Sequence, residues 1–131
     1  MSPSTSPGTT ILLVEDDFIL RTSLAEFLGN QGYSVECAAH GLEAFSRLAS
    51  GTFKPSVIVL DLMMPYMDGF EFRSLQKALP FFSDVPVVVI TATGVNAVET
   101  AQLEARETFF KPVNTSRLLE TIRELSQARP S

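Results

Sequence analysis

The chain is poor in the residues that build redox and metal centres: it holds one cysteine, Cys37, and one histidine, His40. A lone thiol excludes a disulfide framework and a cysteine-based zinc site within one chain, and a lone imidazole weakens any histidine metal site. Basic clusters are missing as well. Lys and Arg number 10 against 15 Asp and Glu, for a net charge of −5, which argues against nucleic acid as a direct partner. No apolar run approaches the roughly 20 residues that span a bilayer, so no membrane association is expected. Residues 1–10 have neither the basic n-region nor the apolar core of a signal peptide, which leaves the cytoplasm as the default location. Residues 1–9 read as a short disordered arm, 127–131 as a tail and 10–126 as one domain. There is no internal repeat and no low-complexity tract.

What is present is a core and a rhythm. With 45% hydrophobic and 19% charged residues, a chain of this length buries a substantial interior. Residues 10–14 form a short apolar run. Residues 17–31 follow with helical spacing of Phe18, Leu20, Leu24, Phe27 and Leu28, stopped by Gly32. A short strand over 34–38 leads to a helix over 41–50, with Leu42, Phe45, Leu48 and Ala49 predicted on one face. Val57–Leu60 runs unbroken into Asp61, the pattern of a strand buried on both faces. A helix over about 70–79 ends at Pro80. Residues 85–91 are the most β-branched stretch. A helix over about 96–105, a small strand over 108–110 and a helix over about 114–126 close the chain, the last with a stripe of Leu118, Leu119, Ile122 and Leu125. Five βα units of about 25 residues predict a parallel sheet with helices on both faces.

In such a sheet the carboxyl ends of the strands share one edge, where ligands bind. Asp61 stands at the end of strand 3, with a turn former as the rival reading. Glu15, Asp16 and Asp17 follow strand 1. One of them is expected to cap the next helix, Asp17 for preference, but three acids exceed what a cap needs. Carboxylates that converge repel unless a cation or proton relieves them, and hard oxygen ligands suit Mg²⁺ better than zinc. Thr91 ends strand 4 and Lys111 ends strand 5. Each is ordinary alone. Together, a carboxylate nucleophile, a divalent metal, a hydroxyl and a lysine are the parts that take a phosphoryl group onto Asp.

The segments Ile11-Leu-Leu-Val-Glu-Asp-Asp17, Asp61-Leu-Met-Met-Pro-Tyr-Met-Asp-Gly69, Ile90-Thr-Ala92 and Lys111-Pro112 resemble the receiver domain of two-component response regulators, over about residues 10–126. The resemblance implies a flavodoxin-like (βα)5 fold with strand order 2-1-3-4-5. It also implies that Asp61 is the phosphoacceptor. Mg²⁺ would be bound by Asp16, Asp61 and the backbone carbonyl of Met63, with Glu15 acting mostly through water. Thr91 would be the switch hydroxyl, Lys111 would pair with the phosphoryl group, and the Lys111–Pro112 bond is a candidate cis peptide. The implied donor is a histidine kinase or a histidine phosphotransfer protein. The implied output is contact with a further protein, and the chain would be a monomer or weak dimer. The resemblance further implies a signalling phosphoacceptor rather than an enzyme acting on other molecules.

With about five residues after the last helix, the expectation is a stand-alone receiver, unless the chain is cut from a longer protein. The sequence departs from the family pattern at Thr108, where an aromatic switch residue usually stands. The stretch from Thr91 to Lys111 is also about two residues short, which suggests a reshaped fourth helix. A one-residue slip turns a strand side chain to the other face, so Phe109 is not a simple replacement for the missing aromatic. Other classes fit less well. A haloacid-dehalogenase-type phosphatase wants an acid where Met63 stands, and a flavodoxin's phosphate loop would meet Glu15–Asp17. A pseudo-receiver scaffold that acts without phosphorylation is the remaining alternative. Phe81 and Phe82 read as core packing, His40 as solvated, and Cys37 as a small core hydrophobe.

Overall fold

The unbroken apolar runs are explained by burial on two sides. A computed structural model describes residues 9–64, 66–92 and 100–128. In chain order its elements are β1 (Thr10–Val14), α1 (Phe18–Asn30), β2 (Ser34–Ala38), α2 (Gly41–Ala49), β3 (Val57–Asp61), α3 (Gly69–Ala78), β4 (Val87–Thr91), β5 (Glu107–Phe110) and α4 (Thr115–Ala128). The strands form one sheet in the order β2-β1-β3-β4-β5, with every pairing parallel. This is the doubly wound, flavodoxin-like order that the resemblance implied. Residues 96–99 of the predicted fourth helix lie outside the described residues, and of the rest only 100 and 101 are helical, with a turn over 102–104. Residues 1–8 and 129–131 also lie outside the described residues, and the last helix runs to Ala128, two residues into the expected tail. None of the described helices is long and apolar enough to cross a membrane.

Alternate strand residues feed two separate cores, because successive side chains point to opposite faces. Leu12, Val14, Ile58, Leu60, Val87 and Val89 pack against Ala44 and Leu48 of α2 and Phe72 of α3. Ile11, Leu13, Val57, Val59, Val88 and Ile90 pack against Leu24 and Leu28 of α1 and Leu118 and Ile122 of α4. β1, β3 and β4 are inner strands, so their apolar side chains are wholly buried. β2 lies at an edge and is correspondingly mixed.

Several packing expectations are corrected. Phe18 is 66% exposed and Leu42 52%, and Ala49 is exposed. The buried stripe of α1 therefore runs through Leu24 and Leu28, and that of α2 through Gly41, Ala44 and Leu48. The reason is helix orientation: apolar spacing gives several equivalent stripes, and contact with the sheet selects one. Phe81 and Phe82 divide. Phe82 is buried, while Phe81 is exposed with the Lys54 ammonium 4.8 Å above its ring. His40 is half-buried, and its Nδ1 accepts from the Glu43 N–H to cap α2. Cys37 packs on the core beside α1 as a partly buried thiol, with burial raising its pKa.

At the amino-terminal pole of the sheet, α3 contributes two buried polar residues that the apolar pattern did not announce. Arg73 donates from Nε to the Leu103 carbonyl (2.8 Å) and from Nη1 to Gln76 Oε1 (2.6 Å). Gln76 Nε2 donates to the carbonyls of Phe82 and Val85. Backbone groups leading into β4 and β5 are thereby satisfied by side chains of one helix, as buried polar groups require.

Candidate functional site

The carboxyl edge of the sheet gathers the acids. β1 delivers Glu15 and Asp16, and β3 delivers Asp61. One carboxylate oxygen from each lies within 4.8 Å of the others. Asp17 leaves this group: its Oδ1 accepts from the N–H groups of Ile19 and Leu20 and caps α1, as expected of it. Glu15 and Asp61 are fully buried, while Asp16 is exposed. Parallel pairing produces the convergence, since Val14 lies beside Leu60 in the register and the next residues of both strands emerge together.

Each buried acid is held. Glu15 Oε2 accepts from the Asp17 N–H at 2.9 Å, and Asp61 Oδ1 accepts from the Met63 N–H at 3.1 Å. Lys111 extends from the end of β5 to place Nζ 3.2 Å from Glu15 Oε1 and 3.5 Å from Asp61 Oδ2. Burial foremost, and then the negative charge of Glu15, push the Asp61 carboxyl up to about 7, against the pull of the Met63 N–H and Lys111. Burial works against the Lys111 charge, but Asp61 and Glu15 outweigh it and raise that ammonium above the usual lysine range. Among the described residues one lysine thus meets two of the three acids, and Asp16 adds to an excess of negative charge at the pole. Glu15 Oε1 is buried and, among the described residues, meets only the Lys111 ammonium. Converging hard oxygen donors with an excess of negative charge are what a divalent Mg²⁺ site consists of, and this set fits that ion.

Thr91 ends β4 fully buried, and its Oγ1 has no hydrogen-bond partner among the described residues. Its carbonyl accepts from the Lys111 N–H at 2.8 Å, which fixes the two strand ends together. The Lys111–Pro112 bond is cis. Phe109 is buried in the core beneath α1 and α4, with the Arg117 guanidinium 5.9 Å from its ring centre. Strand alternation therefore turns Thr108 toward the opposite face, where it pairs with Val89. Phe110 pairs with Thr91 and is 51% exposed.

Local backbone chemistry shapes the loop after Asp61. Asp68 and Glu71 form a reciprocal capping box at the start of α3, a pattern legible as Asp-x-x-Glu but not singled out from the sequence. A Cβ at Gly69 would lie 2.7 Å from Leu62 Cδ2 and 2.8 Å from the Asp61 carbonyl oxygen. Only glycine lets α3 begin this close to the strand that carries Asp61. Gly41 plays the matching part on α2: a Cβ there would come 2.6 Å from the Met67 carbonyl oxygen. Tyr66 adopts φ 66° and stacks edge-on against His40, with ring centres 5.0 Å apart.

Comparison with known proteins agrees with this geometry. The response regulator MprA of Mycobacterium avium (strain 104) is 39% identical over 118 residues, covering 88% of this chain and 50% of that protein. The chain spans about half the length of the curated relatives it matches. The receiver domain of a signal transduction histidine kinase from Syntrophus aciditrophicus has a similar structure, with TM-score 0.85 and 27% identity over 94% of this chain and 95% of that one. The response regulator TrrA of Thermotoga maritima, solved in complex with Mg²⁺-BeF, gives TM-score 0.77 and 27% identity over 89% of this chain and 98% of that one. The family model for the response regulator receiver domain matches residues 11–123. Strand order, converging acids and sequence likeness thus coincide, and the chain belongs to the response regulator receiver domain family.

Proposed function

We propose that this receiver takes a phosphoryl group onto Asp61 from a phosphohistidine, on a histidine kinase or a histidine phosphotransfer protein. The observation that carries the reading is the meeting of Asp61 with Glu15, Asp16 and Lys111 at one sheet edge. An Asp61 carboxylate oxygen forms the new P–O bond while the donor's N–P bond breaks and its imidazole departs. Mg²⁺ would be held by Asp16, Asp61 and the Met63 carbonyl, with Glu15 reaching it mostly through water, and supplies charge neutralisation to the transferring oxygens. Lys111 offsets charge on the same oxygens. Thr91, whose buried hydroxyl has no partner among the described residues, receives one phosphoryl oxygen afterwards. That movement shifts a two-state equilibrium and changes contacts with a further protein in the cytoplasm, or the phosphoryl group passes onward. The solved complex of TrrA with Mg²⁺-BeF supports the choice of ion, and the complete acid, threonine and lysine set weighs against a scaffold that acts without phosphorylation.

Incubation with a small acyl phosphate and Mg²⁺, read by intact mass, tests this. The expected result is a gain of one phosphoryl group, lost in Asp61→Asn and in excess chelator. An unmodified mass across several donors would instead favour the pseudo-receiver scaffold.

A further inference from the structure

Glu15 and Asp61 are gripped through their carboxylates, but Asp16 is not. Its side chain is exposed, and among the described residues no donor or cation meets its carboxylate. What holds Asp16 is its backbone. Arg21, one turn into α1, directs Nη1 back to the carbonyl oxygen of Glu15 at 2.8 Å and to that of Asp16 at a longer 3.4 Å. These carbonyls belong to the peptide planes immediately before and after the Asp16 Cα. Anchoring both limits the rotation that aims its side chain. The guanidinium is itself steadied by the Phe18 ring, whose centre lies 5.6 Å from Arg21 Cζ. This contact gives the exposed Phe18 a use that core packing did not.

We propose that Arg21 is a positioning residue for metal binding: it clamps the β1–α1 turn so that Asp16 faces the ion with Asp61. The proposal rests on reading the site as a Mg²⁺-dependent phosphoacceptor. Guanidinium suits the task because its planar donors reach two acceptors at once, and charge-assisted bonds of this kind are strong. It binds main-chain oxygens, so its charge stands behind the acids without occupying the carboxylate oxygens that the metal needs. Groups that orient metal ligands in this way commonly account for tenfold or more in affinity.

The test is Mg²⁺ titration of the whole chain by calorimetry, comparing wild type with Arg21→Met and Arg21→Lys. Met keeps the length of the side chain and removes its donors, and the dissociation constant is expected to rise roughly tenfold. Lys offers a single point of charge and should fall between the two. The Mg²⁺ concentration that half-saturates phosphorylation by a small acyl phosphate should rise by the same factor, and the rate at saturating Mg²⁺ should fall far less. Gln76→Ala, at the opposite pole, serves as the destabilised control. An unchanged dissociation constant in Arg21→Met overturns the proposal. So does an equal weakening in Gln76→Ala, or a loss confined to the saturated rate. If wild type binds no Mg²⁺, or if Asp16→Asn leaves its binding unaltered, the reading of the site itself fails.

Discussion

At the scale of the residue, the most consequential fact is that Asp61 is buried beside Glu15 and pushed up to about 7. In an unfolded chain an aspartate titrates near about 3.9. The folded metal-free protein therefore holds a proton that the unfolded chain releases. The associated stability is full below about pH 4 and is lost as pH rises through about 7. Asp61→Asn removes the titration. In chelator, wild type should weaken relative to Asp61→Asn by on the order of 2–4 kcal/mol between about pH 4 and pH 8. Urea midpoints across that range measure the difference, and parallel curves would contradict it. Saturating Mg²⁺ should close the gap in wild type, because a ligand that binds only the folded state stabilises it.

At the scale of the element, the loop from β3 into α3 sets the position of the site. Gly69 permits the first turn of α3 to sit against Leu62 and the Asp61 carbonyl. Gly69→Ala must move Leu62 or the helix start. It should cost about 2–3 kcal/mol in urea unfolding, as overpacking of a well-fitted contact does, and should slow acyl-phosphate phosphorylation. A variant as stable as wild type would show that the loop yields more easily than its contacts imply. β5 carries the other element-scale prediction. Thr108 and Phe109 face opposite sides of the sheet, and Phe109 is committed to the core. Thr108→Tyr returns an aromatic to the face that Phe109 cannot serve. It should change binding of the output partner more than the rate of phosphorylation, with a collapse of the rate as the outcome that contradicts this placement.

At the scale of the whole molecule, the two ends of the sheet do different work. Acids and Lys111 occupy the carboxyl pole, whereas Arg73 and Gln76 tie α3 to the entrances of β4 and β5 at the other. Gln76→Ala leaves the Phe82 and Val85 carbonyls and an Arg73 donor unpaired in the interior, a loss of about 2–4 kcal/mol. Because the poles are separated by the length of the strands, Mg²⁺ affinity should be unchanged. Denaturant unfolding and calorimetry on the same preparation compare the two properties.

The sequence by itself determined the βα alternation and the parallel sheet, and it marked Glu15, Asp16, Asp61, Thr91 and Lys111 as residues at or just beyond strand ends. Periodicity is written locally, and strand ends are marked by the first polar residue after an apolar run. It also separated Asp17 from the other acids, since a helix cap depends on its immediate neighbours. Only the tertiary structure decided which apolar stripe each helix buries, which is why Phe18 and Leu42 emerged at the surface. It alone revealed Arg21, Arg73 and Gln76, whose acceptors are mostly backbone carbonyls that carry no mark in the sequence. It alone placed the carboxylates of Glu15, Asp16 and Asp61 within one 4.8 Å group. The physical reason is the same in each case: packing and convergence are properties of chain segments far apart in sequence, and their distances exist only once the sheet has formed.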